Sequence, residues 1–213
     1  DFGATATALG VEWHSAADFL ADGLKMSASY STDSGAAASA TARLDSSWGV
    51  GATYVTTAGD TTLTIGGGVA DAEISTLGTQ ADNDKGGFNV GLSAVTGDLT
   101  IGIGYGDGDT FVSSTVAGTN KQVDGSVLKA GVKYVTGDVT LALGVTSGEA
   151  KDGNFGDAGT SDDSKDTTGA SVTYAVASGV SAVLGYTTVD AANDGSSTTN
   201  GGSAWYVGAT MSF

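Results

Sequence analysis

Apolar residues alternate with small or polar ones along most of this chain. Trp48, Val50, Ala52 and Tyr54 are interleaved with Gly49, Gly51 and Thr53. The same period of two runs through Leu63–Val69, Phe88–Ala94, Leu99–Tyr105, Leu128–Tyr134, Val139–Val145, Ala170–Val176, Val180–Tyr186 and Trp205–Phe213. No apolar-side position in these nine stretches is charged, and the opposite positions hold mainly Gly, Ser, Thr, Asn and two lysines. Successive side chains of a strand point to opposite faces, so this period marks strands with one apolar face. Leu24, Met26, Ala28 and Tyr30 predict another strand, with Lys25, Ser27 and Ser29 opposite and Val11 and Trp13 on its partner. The Ala-rich stretch from Ala36 to Arg43 fits strand or helix. The expectation is about twelve strands, nine of them marked by this alternation.

The connections alternate in length. Thr57–Asp60, Thr96–Asp98, Thr136–Asp138 and Ala177–Gly179 are short and carry the Gly and Asp chemistry of hairpin turns. Between them lie longer polar links, near Asp71–Gly86, Gly106–Asp124, Ser147–Thr167 and Asp190–Gly202. Val95-Thr96-Gly97-Asp98 recurs forty residues on as Val135-Thr136-Gly137-Asp138, each between two strands. Such a period could mark propeller blades. A unit of two strands, one tight turn and one long loop instead has the rhythm of an up-and-down barrel, with the short turns at one end and the long loops at the other.

Composition narrows the picture. Among 213 residues there are 35 Gly, no Pro and no Cys, only 15% are charged, and the formal net charge is −16. So acidic a chain does not suit nucleic acid, whose phosphates need basic patches. No apolar run is long enough for a transmembrane helix, but that does not count against barrel strands. No signal peptide opens the chain at Asp1-Phe2-Gly3, which reads as a mature form or as part of a longer chain.

Alternation alone does not say whether the apolar face looks onto a protein core or onto lipid. Three features favour lipid. Tyr54, Tyr134 and Phe213 sit near the short-turn ends of the apolar stripes, while Trp48, Tyr105, Tyr186 and Trp205 sit near the long-loop ends. Two aromatic girdles match the two interfaces of a bilayer. Strands of about ten residues suit a tilted crossing of the hydrocarbon. The chain also ends on an alternating strand whose last residue is Phe213.

That ending resembles the C-terminal strand of Gram-negative outer-membrane proteins. The Gly-rich hairpins resemble the general porins of alphaproteobacteria. Val11-Glu12-Trp13-His14-Ser15, followed by Leu24-Lys25-Met26-Ser27-Ala28-Ser29-Tyr30, resembles the part of those porins after their constriction loop. The resemblance implies an all-β transmembrane barrel of about sixteen strands, of which this chain would match the later two-thirds or so. Residues 1–213 then form a single barrel domain, either a part without the early strands and the constriction loop or a complete barrel of twelve strands. It also implies an outer-membrane location, contact with the bilayer and lipopolysaccharide, a homotrimer, and passive diffusion of ions and small hydrophilic solutes. An acidic surface-layer or adhesin-type structural protein is the alternative.

Candidate chemistry is sparse. His14 is the one histidine, so a zinc site or catalytic triad has little to draw on, and no enzymatic activity is expected. Gly102-Ile-Gly-Tyr-Gly-Asp-Gly108 resembles a phosphate loop, but it lies in a strand with no helix after it. Asp107 with Asp109, or Asp152, Asp157, Asp162, Asp163 and Asp166, could offer oxygen ligands to Ca²⁺, although no cofactor is required. Strand parity directs Lys25, Arg43, Lys129 and Lys133 to the lumen, with Glu12 and His14 beside them, as pore-lining residues that could set ion selectivity. Lys129 and Lys133 share one strand face, at about 7 Å per pair of residues.

Overall fold

A strand that exposes an apolar stripe must pair along both edges and cover that stripe, and the chain meets the first need by laying its strands side by side in sequence order. The computed structural model describes residues 9–32, 42–76, 85–112, 121–150, 163–192 and 200–211. The side chains of 42–45, 74–76, 110–112 and 121–124 fall outside that description. The strands are β1 (Gly10–His14), β2 (Leu24–Thr32), β3 (Ala42–Ala58), β4 (Thr61–Thr76), β5 (Lys85–Thr96), β6 (Leu99–Val112), β7 (Lys121–Thr136), β8 (Val139–Ala150), β9 (Asp163–Ala177), β10 (Val180–Ala192) and β11 (Asn200–Met211). They form one sheet in the order β1 to β11, each antiparallel to the next. Among the described residues β1 and β11 share no contact and are the two edges of the sheet.

The expected up-and-down order is therefore present, with eleven described strands. Ala42 and Arg43 open β3, and the rest of the Ala36–Arg43 stretch lies outside the described residues, as does Phe213. The strands also run further than the apolar alternation. β4 continues to Thr76, β6 to Val112 and β8 to Ala150, and β9 begins at Asp163. Residues expected in loops, Asp71, Asp107, Asp109, Asp163 and Asp166 among them, are thus strand residues. The backbone ladder needs only N–H and C=O groups, so it extends beyond the last apolar side chain.

Four hairpin turns are two residues long, and each uses a glycine at positive φ: Gly59 (61°), Gly97 (54°), Gly137 (56°) and Gly179 (75°). The β1–β2 connection, at the same end, is built differently. Asp18 has φ 63°, its carboxylate accepts the Gly23 N–H at 2.6 Å, and the Val55 N–H reaches the Gly23 carbonyl at 2.9 Å. A side chain at Gly23 would strike the Val55 carbonyl, so the turn docks on β3 only because that residue is glycine.

Among the described residues there is no second layer. Among the described non-glycine residues only Ala72 and Asp163 are fully buried, while Ile65, Phe88, Val90, Leu92, Ile101, Ile103, Leu143 and Leu184 are each about half exposed. In a soluble sandwich these stripes would face another sheet. Here they cover one side of a wall a single sheet thick, which needs an apolar medium outside it.

Candidate functional site

Because partners in an antiparallel ladder share a face, the register maps each face row by row. One row on the concave face runs Lys25, Thr53, Gly66, Gly91, Gly104, Lys129, Thr146 and Thr167. The next row toward the loops runs His14, Ser27, Gly51, Gly68, Asn89, Gly106, Val127, Gly148 and Lys165. These rows enclose a cavity of about 1090 Å³ lined by His14, Lys25, Thr53, Asn89, Ser93 and Lys129 among others. A smaller cavity of about 490 Å³ adjoins it toward the loops and includes Glu12.

Among the sequence candidates, the structure places Glu12, His14, Lys25 and Lys129 around these concave spaces. The His14 Nε2 meets the Glu12 Oε1 at 2.9 Å, both on the inner side of β1. Lys133 lies further toward the turns, opposite Thr100 and Ala142. Arg43 is a different case. Asp45 is an extra residue in β3, and beyond that bulge Arg43 pairs with Ser75. Parity counted from Trp48 does not carry across a bulge, so the expected lumenal assignment of Arg43 loses its basis, and its side chain is outside the described residues. Lys165 escapes a reading by periodicity, because the polar run from Ser164 to Thr168 resembles a loop. Its place in β9, opposite Gly148 and Ala191, puts it on the inner face.

On the outer face the aromatics stand in two bands. Tyr54, Tyr134 and Tyr174 lie toward the turns, each about 40–50% exposed. Toward the loops, Phe88 packs on Tyr105 with ring centroids 5.9 Å apart, and Tyr186 on Trp205 at 4.4 Å. Trp48 pairs with Tyr30 across the ladder. Trp13 meets Phe19 of the β1–β2 turn edge-on at 5.5 Å, extending the turn-side band with a turn residue that periodicity does not mark.

The Ca²⁺ expectation fares differently at its two places. The Asp107 carboxylate accepts the Tyr105 hydroxyl at 3.0 Å, and the Asp109 carboxylate accepts the Gly86 N–H at 3.1 Å. Among the described residues no three acidic or histidine side chains gather as a metal site. Asp152, Asp157 and Asp162 lie outside the described residues, Asp163 is buried at the start of β9, and Asp166 stands on the outer face beside Asp190.

A single-layer meander of long antiparallel strands, apolar and aromatic outside, glycine-rich and polar inside, defines the class of outer-membrane β-barrel walls. Residues 15–194 match the family model of the Gram-negative porins, and the chain belongs to that family. A search of the curated proteins finds no match. Among solved structures, a porin refined at 1.8 Å resolution is similar over 95% of this chain and 60% of its own, with a TM-score of 0.64 and 19% identity. The outer-membrane channel DcaP of Acinetobacter baumannii is similar over 93% of this chain and 62% of its own, with a TM-score of 0.63 and 13% identity. OmpT, an outer-membrane protein of Vibrio cholerae, is similar over 95% and 64%, with a TM-score of 0.58 and 19% identity. These likenesses show a shared fold, and the chain spans 60–64% of the length of the three. Membership of this family, together with the shared fold, places the chain in the outer membrane.

Proposed function

We propose that this chain supplies most of the wall of a water-filled channel through which ions and small hydrophilic solutes diffuse passively. The observation that carries this reading is the opposite chemistry of the two faces of one sheet. A row such as Gly66, Gly91 and Gly104 leaves its backbone bare to the concave side. The row beside it, Ile65, Leu92 and Ile103, is apolar and exposed on the convex side. Water inside and lipid outside satisfy both, and passive diffusion asks for nothing more.

The edges β1 and β11 leave ladder groups that cannot stay unpaired in a bilayer. A closed pore therefore takes further strands between β11 and β1, with residues 1–213 forming one continuous part of a single barrel domain. The outer belt contacts lipid, and the acidic residues above it face the lipopolysaccharide leaflet. A homotrimer is the proposed assembly, supported by the trimer form in which Vibrio cholerae OmpT has been solved.

The test is conductance of the full chain in planar lipid bilayers. Stepwise openings with a current roughly proportional to salt concentration support a water-filled pore. A protein that stays soluble without detergent and never conducts would return the adhesin or surface-layer reading. The mass of the particle in mild detergent tests the trimer separately.

A further inference from the structure

The two faces differ in the sign of their charge as well as in polarity. Lys25, Lys129, Lys133 and Lys165 all stand on the inner face with exposed side chains. On that face Glu12 is engaged by His14 at 2.9 Å, Asp163 is buried, and Lys85 is close enough to feel the Asp109 charge. Six carboxylates of the same sheet, Asp71, Glu73, Asp107, Glu149, Asp166 and Asp190, lie on the outer face toward the loops, in register with Trp48, Ser46, Phe88, Ser126, Ser147 and Gly201. A chain of net charge −16 thus turns four exposed ammonium groups inward and sends most of its strand-borne acids outward.

We propose that the pore prefers small anions, and that Lys25, Lys129, Lys133 and Lys165 set that preference. The inference rests on the channel reading above and names the solute class it favours. Lys25 and Lys129 share a row about 24 Å along the wall, five strand spacings apart. The residues between them are Thr53, Gly66, Gly91 and Gly104, so no longer side chain screens either ammonium. A lumen walled by a low-dielectric belt focuses the field of its lining charges. The turn aspartates Asp60, Asp98 and Asp138 are exposed at the turn end of the sheet, where salt screens them beyond about 8–10 Å. An anion in transit passes the lysines inside that low-dielectric wall and gains most from them there.

The experiment is the reversal potential of the reconstituted full chain under a KCl gradient across a planar bilayer. The expected sign is that of chloride permeating faster than potassium. Replacing Lys129 and Lys133 together by Glu is expected to move the potential toward cation selectivity, and Lys25→Glu to move it the same way. D166N, an outer-face control, leaves it unchanged. A conducting wild-type pore that prefers potassium overturns the proposal while the channel reading stands. So does a conducting K129E/K133E pore whose reversal potential equals that of the wild type. Absence of any conductance overturns the channel reading and this inference with it. Heat-modifiable migration of each variant on a gel reports its folding, and if the double variant fails to fold, K129Q and K133Q measured singly give the same readout with smaller shifts.

Discussion

Leu92 on the outer face is flanked across the ladder by Ile65 and Ile103; one residue away, Gly91 on the inner face is flanked by Gly66 and Gly104. The same three strands carry both triplets. The outer triplet replaces lipid contacts on lipid's own terms, while the inner triplet leaves width and bare backbone for water. Side-chain volume is placed where it meets the membrane and withheld where it would obstruct the lumen. The difference between neighbouring residues is therefore one of solvent, and substitutions that exchange the solvents should show the largest effects.

I103K places an ammonium in the lipid belt, and about 2–4 kcal/mol of stability should be lost, measured by urea unfolding from lipid vesicles. The same residue introduced next door, as G104K, should cost far less. Equal losses at the two positions would break the comparison. Next in size is Gly68→Val. A Cβ there would lie 2.9 Å from the Val50 carbonyl oxygen and 3.5 Å from the Gly51 Cα, so the strands must part, at about 1–3 kcal/mol in the same unfolding measurement. Trp205→Ala removes the ring packed 4.4 Å from Tyr186 on the outer face, with an expected loss of about 1 kcal/mol and a change in tryptophan fluorescence on membrane insertion. The smallest effect is expected at Gly104→Ser, where a Cβ meets only the Val90 carbonyl oxygen at 3.6 Å, an ordinary contact. Stability should move by less than about 0.5 kcal/mol, and any change should appear as reduced single-channel conductance.

Much of the wall is legible in the sequence because a strand face repeats every two residues. The stripe of Val139, Leu141, Leu143 and Val145 in β8 and the glycine turns at Gly97 and Gly137 can be read directly from it. What escapes such a reading has no period to show. The outer ends of β6 and β9 carry Asp and Ser where apolar residues would have marked them, so Lys165 looks like a loop residue. The extra residue at Asp45 shifts register, and nothing local in Leu44-Asp45-Ser46 announces it. The contact of Trp13 with Phe19 joins a strand to a turn and follows no strand period.

By itself the sequence determined the strands, their antiparallel succession, the positions of the tight turns and the membership of each apolar face. Alternation alone left open which face is concave, because a period of two is symmetric about the plane of the sheet, although the aromatic ends of the stripes already pointed the apolar face toward lipid. Pairing between strands decided that, through the twist and curvature of the whole sheet. Register likewise brought Lys25 and Lys129 into one row although 104 positions separate them along the chain. A lysine's neighbours across a ladder depend on how every intervening strand is aligned, and only the folded sheet contains that alignment.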